Sequence, residues 1–276
     1  VSGDIASTLA SGRVVLVGGG NMGAAMAQGW LAAGLKPGNL LLVDPRPGTA
    51  AEPLLAAGVK HVTTPEGAAA DIVVLAVKPQ VMDAAMPSLA PILTPDTLVV
   101  SIAAGRTIAS IEAVVGERPV VRAMPNTPAL IGRGITGAYA NERVSQDARA
   151  TADALLSACG PVEWVRSEGE IDAVTAVSGS GPAYVFHLAE ALAEAGAKAG
   201  LEPELAMRLA RHTVAGAGEL MIRAEEEPAQ LRRNVTSPNG TTQAALDVLM
   251  GEGGLVPLME RAVAAAKARA EELSKG

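Results

Sequence analysis

Val14-Val15-Leu16-Val17-Gly18-Gly19-Gly20-Asn21-Met22-Gly23 decides how the first half of this chain folds. Four consecutive aliphatic residues are strand length and apolar on both faces, as a strand covered by helices on each side requires. They run into G-x-G-x-x-G and then into the Ala-rich stretch Ala24 to Leu31, which predicts a helix. In that context Gly18 permits the tight turn, Gly20 lets the backbone approach a pyrophosphate, and Gly23 lets helix pack on strand. The helix N-terminus adds a favourable field for an anion. A glycine-rich turn without a ligand is the plainer alternative, but strand, turn and helix in this order are the usual fingerprint of dinucleotide binding.

Outward from this stretch, to about residue 165, short β-branched runs alternate with Ala-rich ones, the pattern of a parallel sheet covered by helices. Strands are expected near Arg13 to Gly18, Leu40 to Asp44, Ile72 to Val77, Thr97 to Ile102, Pro119 to Ala123, Ile135 to Ala140 and Pro161 to Val165. After Ser167 the strand signals stop, and helical spacing runs through Ala183 to Lys198, Pro203 to Glu226 and Pro257 to Leu273. Gly200 stands where a C′ glycine belongs and Pro203 suits a first helical turn. The reading is α/β: a Rossmann-type doubly wound sheet over residues 1–166, then an all-helical part over 167–276. The Pro203 to Glu226 helix is long for so small a domain. Its apolar face (Ala206, Leu209, Ala210, Val214, Ala217, Leu220, Met221) is expected to meet another subunit.

Composition narrows the partners. With 49% hydrophobic and 18% charged residues the chain can bury a large core, and with 2% aromatics it has few platforms for stacking bases. A net charge of −7 repels a phosphate backbone, so nucleic acid is not an expected partner. A single cysteine, Cys159, and no start resembling a secretory signal point to a reducing cytoplasm. No apolar run approaches the roughly 20 residues of a membrane helix.

Several further runs carry candidate chemistry. Asp44 ends the second strand, about 20 residues past Gly23, where a carboxylate accepts the ribose hydroxyls of NAD. Arg46, two residues on, can instead hold the 2′-phosphate of NADP, and the pair leaves the cofactor open between NADH and NADPH. Ala76-Val77-Lys78-Pro79 and Ser101-Ile102-Ala103-Ala104-Gly105 follow strands at the edge where open parallel sheets bind ligands. Met124-Pro125-Asn126-Thr127-Pro128 ends another strand, while Val177-Ser178-Gly179-Ser180-Gly181-Pro182-Ala183-Tyr184 opens a helix. Asn234-Val235-Thr236-Ser237-Pro238-Asn239-Gly240-Thr241-Thr242 precedes the apolar-periodic Ala244 to Met250. Free amides at Gly240, Thr241 and Thr242 then suit a small carboxylate, although either threonine alone is as readily an N-cap. His61, His187 and His212 lack metal-ligand spacing, so no metal site is expected. Glu225-Glu226-Glu227 reads as a solvated helix end that needs compensation against the helix dipole.

The runs GGGNMG, AVKPQ, SIAAG, RAMPNTPA, AVSGSGPAYVF and NVTSPNGTTQAAL, in this order and spacing, resemble pyrroline-5-carboxylate reductases along essentially the whole chain. The resemblance implies the last step of proline biosynthesis: hydride passes from NADPH or NADH to the C=N carbon of 1-pyrroline-5-carboxylate, giving L-proline. It implies that Gly18, Gly20, Asn21, Met22 and Gly23 bind pyrophosphate, that Ala76, Val77, Lys78 and Ala104 lie along the cofactor with Asp44 and Arg46 at its ribose, and that Asn234 borders the nicotinamide. It sets Ser237, Gly240, Thr241 and Thr242 on the substrate, with Thr242 hydrogen-bonding the ring nitrogen, and Glu168 nearby. It also implies dimers through the helical part, often assembled as rings of five.

The chain departs from the family pattern at Asn239, where a second glycine is usual, and at Asp44, where members preferring NADPH commonly carry a small polar residue. Asparagine tolerates left-handed backbone geometry. Rival readings are a related imine reductase, a β-hydroxyacid dehydrogenase and a non-catalytic dinucleotide sensor. Such dehydrogenases use a lysine followed four residues on by asparagine, whereas Lys198 is followed by Glu202 and Lys267 by Glu271. A sensor would lose the substrate loop, which this chain keeps.

Overall fold

A computed structural model describes residues 12–67 and 69–275. The start of the chain, where no secretory signal is expected, lies outside the described residues. Strands β1 (Val14–Val17), β2 (Leu40–Val43), β3 (Lys60–Val62), β4 (Ile72–Leu75), β5 (Leu98–Ser101), β6 (Val120–Pro125), β7 (Thr136–Ala140) and β8 (Val162–Trp164) form one sheet. Its order is β3-β2-β1-β4-β5-β6-β7-β8. The first six follow the doubly wound dinucleotide-binding order, which reverses direction between β1 and β4.

Period-two alternation divides the strands between two cores. Val14 and Leu16 of β1 face one side with Leu40, Leu42, Ile72 and Val74. Val15 and Val17 face the other with Leu41, Val43, Val73 and Leu75. The first core is closed by α1 (Asn21–Ala32), α2 (Glu52–Ala56) and α5 (Gln146–Ser157), through Met26, Trp30, Leu54, Leu155 and Leu156. Trp30 is fully buried and its indole N–H donates to the Leu155 carbonyl at 2.7 Å, so the largest core side chain leaves no polar atom unpaired. The second core is closed by α3 (Pro79–Ala85) and α4 (Ile108–Val115), through Met82, Ile108, Ile111 and Val115.

Two features differ from the sequence expectation. The strand Lys60–Val62 was not anticipated: it is three residues long, borders the sheet edge, and two of its residues are polar, so it leaves no apolar run to read. Secondly, β6 and β7 pair antiparallel, while every other pair is parallel. A parallel return needs a crossover of roughly a dozen residues or more, and the segment between β6 and β7 holds only the short 3-10 turn Thr127–Ile131.

The chain divides into two compact units, one running to Gly179 and resuming at Ala266, the other Ser180–Ala265. The short helix α6 (Glu170–Val174) and the π-turn Thr175–Gly179 belong with the sheet because Ile171 and Ala176 are buried there and Val174 lies over Gly137.

The other unit is helical. It contains α7 (Gly181–Lys198), α8 (Pro203–Arg223), α9 (Pro228–Asn234), α10 (Thr241–Leu249) and the first half of α11 (Leu255–Lys275). Gly200 has φ +104°, as a glycine past a helix end should, and the Glu202 carboxylate caps α8 by accepting from Leu205 N at 2.9 Å. The acidic trio does not end α8, which stops at Arg223; Glu227 instead is the N-cap of α9, the end of a helix that favours negative charge. Within this unit, Ala193, Ala206 and Ala210 are the hydrophobic residues that are buried, whereas Leu209, Leu220, Met221, Phe186 and Val248 are about half exposed or more.

Candidate active site

The glycine loop is shaped by backbone contacts. Gly18 has φ +103°, and a Cβ there would sit 2.8 Å from the Ala76 carbonyl oxygen. A Cβ on Gly23 would sit 2.3 Å from the Gly18 oxygen, so both positions must be glycine for the chain's own packing. Gly20 differs: nothing lies within 4 Å of the Cβ position, and the residue is exposed. Its bare face opens on space at the N-terminus of α1, where Gly20 is the N-cap without a side-chain cap. A pyrophosphate fits there, on amides that no side chain covers.

Asp44 is half-buried just past β2, and its carboxylate is fixed by the backbone. Oδ2 accepts from Gly19 N at 2.7 Å and Oδ1 from Arg46 N at 2.8 Å. The Asp44 carbonyl in turn lies 2.7 Å from His61 Nε2 on the edge strand β3. Arg46 is exposed.

A cleft of about 290 Å³ opens at the C-terminal ends of the strands. Met22 of α1 lines it, as do Ala76, Val77, Lys78 and Pro79 after β4 and Ile102, Ala103 and Ala104 after β5. Met124, Pro125, Asn126 and Thr127 at the end of β6 and Gly179 at the end of the π-turn complete it. Met22, Ala76, Val77, Lys78 and Ala104, expected beside the cofactor, are thus brought together. Lys78 is exposed at the N-cap of α3, and among the described residues no carboxylate pairs with it. A larger hollow lined by Glu112, Glu117, Asn141 and Arg143 lies beside the start of β6, at the opposite end of that strand from the cleft, and another, lined by Arg208, Arg211 and His212, belongs to the helical unit.

Within the run that opens α7, Val177-Ser178-Gly179 belong to the π-turn Thr175–Gly179 and the helix itself begins at Gly181. Ser178 Oγ donates back to the Val174 carbonyl at 3.1 Å, a backbone role rather than that of a nucleophile. Cys159 is likewise a core residue: burial pushes its thiol up to about 11.

Glu168, which the family resemblance sets near the substrate, is engaged within the sheet unit. Its Oε1 accepts from Arg122 Nη1 at 3.2 Å and from Ile108 N, in the first turn of α4, at 2.7 Å. Arg122 on β6 is 3% exposed and also donates to Asp172 Oδ1 at 3.0 Å. Sequence reading did not single out Arg122. Its signal was a lone cation within the apolar run Val120-Val121-Arg122-Ala123-Met124, since a buried charge demands a partner.

The remaining candidates share one turn of the helical unit. Asn239 has φ +59°, the left-handed geometry that a glycine usually supplies. A Cβ on Gly240 would sit 2.4 Å from Ser237 Oγ and 3.1 Å from the Ser237 carbonyl oxygen, so a larger residue there would displace the Ser237 side chain. Gly240 is the N-cap of α10 and no side chain caps it; Thr241 and Thr242 occupy the first turn. Neither threonine is the cap, and the first-turn amides stay open to an anion. Asn234 ends α9, where its Oδ1 accepts from Gln230 Nε2 at 2.7 Å. Among the described residues no group of three or more His, Cys, Asp or Glu side chains is placed to hold a metal ion.

Comparison with known proteins extends these observations along the chain. The family profile described as pyrroline-5-carboxylate reductase dimerisation matches residues 168–273, and one described as NADP oxidoreductase, coenzyme F420-dependent, matches residues 13–105. A pyrroline-5-carboxylate reductase of Pseudomonas aeruginosa is 47% identical over 268 residues, covering 95% of this chain and 97% of the relative. The solved structure of a pyrroline-5-carboxylate reductase from Coxiella burnetii has a TM-score of 0.89 at 39% identity, covering 96% of this chain and 100% of the other. That of the Plasmodium falciparum pyrroline carboxylate reductase with NADP bound has a TM-score of 0.79 at 30% identity, covering 96% and 98%. Similarity of this extent runs through sheet and helices alike, and by it the chain belongs to the pyrroline-5-carboxylate reductase family.

Proposed function

We propose that this protein reduces the C=N bond of 1-pyrroline-5-carboxylate to L-proline with NAD(P)H, the last step of proline biosynthesis. The observation that carries the reading is the pairing of family membership over nearly the full chain with a glycine loop whose Gly20 face opens on free space. When bound, NAD(P)H supplies the hydride that ends on the imine carbon, while a proton goes to nitrogen and NAD(P)⁺ is left.

The chain's own residues bind and orient. Gly18, Gly20, Asn21, Met22 and Gly23 form the pyrophosphate turn, Asp44 and Arg46 flank the adenosine ribose, and Ala76, Val77, Lys78 and Ala104 line the path of the cofactor. Asn234 borders the nicotinamide. Ser237, Gly240, Thr241 and Thr242 hold the substrate, its carboxylate on the first-turn amides of α10 and its ring nitrogen on the Thr242 hydroxyl. A threonine hydroxyl is too weak an acid to protonate an imine alone, so Thr242 orients the nitrogen and solvent supplies the proton. Glu168 acts through Arg122 rather than on the substrate.

The two parts divide this work: residues 1–166 bind the dinucleotide, while 167–276 bind substrate and dimerise. The dimer is supported by the half-exposed Leu209, Leu220 and Met221 of α8; a ring of five such dimers is the alternative assembly. The lone cysteine, Cys159, fits the reducing cytoplasm as the compartment.

The test is the rate of 340 nm absorbance loss with 1-pyrroline-5-carboxylate, with NADH and NADPH in parallel. Wild type turns over, and Thr242→Ala loses about 10- to 100-fold in kcat/KM with unchanged cofactor affinity. Cofactor binding without any turnover would instead favour the dinucleotide sensor.

A further inference from the structure

A buried ionic cluster stands behind the cleft without touching it. Arg122 lies in the middle of β6, paired in register with Ser101 of β5 and Tyr139 of β7, so its backbone cannot shift independently of the sheet. Its guanidinium donates to Glu168 at 3.2 Å, to Asp172 at 3.0 Å and to Ser274 Oγ at 3.4 Å. Ser274, near the end of α11, in turn donates to Asp172 Oδ1 at 3.3 Å. One side chain thus ties a central strand, the helix α6 and the C-terminal end of the chain.

Each tied element leads to a wall of the cleft. Two residues beyond Arg122, Met124 lines the cleft, and α6 runs directly into the π-turn that ends at Gly179. Those two walls touch: a Cβ on Gly179 would come within 2.7 Å of Met124 Cε. The C-terminal end of α11 reaches a third wall, since a Cβ on Gly105 would lie 3.0 Å from Leu273 Cβ, next to Ala103 and Ala104. In a sheet of this order each half takes one nucleotide, and the Asp44 side takes the adenosine. The walls fixed by the cluster therefore belong to the nicotinamide half.

We propose that Arg122 is a positioning residue for hydride transfer, holding Met124 and Gly179 in place through its ion pairs with Glu168 and Asp172. This rests on the reductase reading above. Burial alone does not explain the arrangement, because hydrophobic residues of similar volume serve stability as well as a buried ion pair does. What the ion pairs add is direction, since a planar guanidinium fixes its partners in a way that apolar packing does not.

The test uses Arg122→Lys and Asp172→Asn, which keep volume and remove the fork or one of its acceptors, with Ser274→Ala as a mild third variant. Because misplacement of about 1 Å can cost on the order of 100-fold in rate, kcat is expected to fall about 10- to 100-fold in the first two. The dissociation constant for NADH, read by fluorescence titration, should change by less than about threefold, since the pyrophosphate turn is untouched. The deuterium isotope effect with 4-deuterated NADH should rise as hydride transfer becomes limiting. Amide hydrogen exchange without cofactor should quicken at 124–127 and 175–179 before elsewhere. Ser274→Ala should move in the same direction by less. A lowered Tm with kcat per folded site and isotope effect unchanged would show a purely structural cluster and overturn the proposal. If wild type itself fails to turn over, the reductase reading falls and takes this role with it; wild-type turnover with unaltered variants removes only the role.

Discussion

The sheet unit and the helical unit solve the same problem in opposite ways. In the sheet unit Val14, Val15 and Leu16 are fully buried, and the strands β1, β2, β4 and β5 are covered on both faces by side chains of their own chain. In the helical unit the buried hydrophobic residues are three alanines, while larger side chains such as Phe186, Leu209 and Val248 remain at least half exposed. The face of α8 makes the difference concrete: Ala206 and Ala210 are 3% and 2% exposed, whereas Leu209, Leu220 and Met221 on the same helix are about half exposed. One unit closes its core alone. The other leaves its larger side chains for a second copy to cover, as a self-complementary interface would.

The sharpest way to break this comparison is within the self-contained unit. Gly23→Val would drive a side chain into the Gly18 carbonyl, and is expected to cost at least about 3 kcal/mol and abolish NADH binding. Thermal unfolding and fluorescence titration measure the two effects separately. A variant that keeps both stability and affinity would show that the loop is looser than its contacts require.

In the helical unit Leu209→Asp should act on assembly before folding. Removing one central apolar contact and burying a charge there is expected to weaken the dimer by on the order of 100-fold. Sedimentation at micromolar concentration should show monomer for the variant and dimer for wild type. If wild type is also monomeric, the exposed face has another use.

A smaller change is expected at Asp44. Replacing its carboxylate by serine removes a negative charge from the site that a 2′-phosphate would approach, and should move the ratio of kcat/KM for NADPH over NADH upward by about tenfold. An unchanged ratio would mean that Arg46 already neutralises the site. The smallest effect concerns Cys159. With its thiol held at about 11, only about one molecule in a thousand is thiolate at pH 8, so alkylation should be slow there and quicken as pH rises toward 11. Rapid labelling at pH 8 would show that the closed core opens more often than its burial suggests.

Much of this was legible in sequence because it is local. A glycine loop, the strand before it and the helix after it lie within nineteen consecutive residues, Val14 to Ala32, and the turn at Gly240 announces itself by its own Asn-Gly-Thr-Thr. The strand at Lys60 was hidden because an edge strand needs no apolar run. The π-turn was hidden because a single extra residue in a helical turn leaves no mark on periodicity. Asn239 shows a middle case: its departure from glycine was visible, and its left-handed backbone shows that the turn geometry is kept.

By itself, then, the sequence determined the dinucleotide-binding architecture, the switch from sheet to helices, and the runs from which a site is built, since each follows from residues near one another in the chain. Only the tertiary structure decided that Arg122 meets Glu168, Asp172 and Ser274 across separations of 46, 50 and 152 residues, and that Asp44 holds the amide of Gly19. Propensity and periodicity describe what a segment prefers; which distant carboxylate neutralises a buried cation is settled when the segments pack, because an unpaired charge cannot stay there.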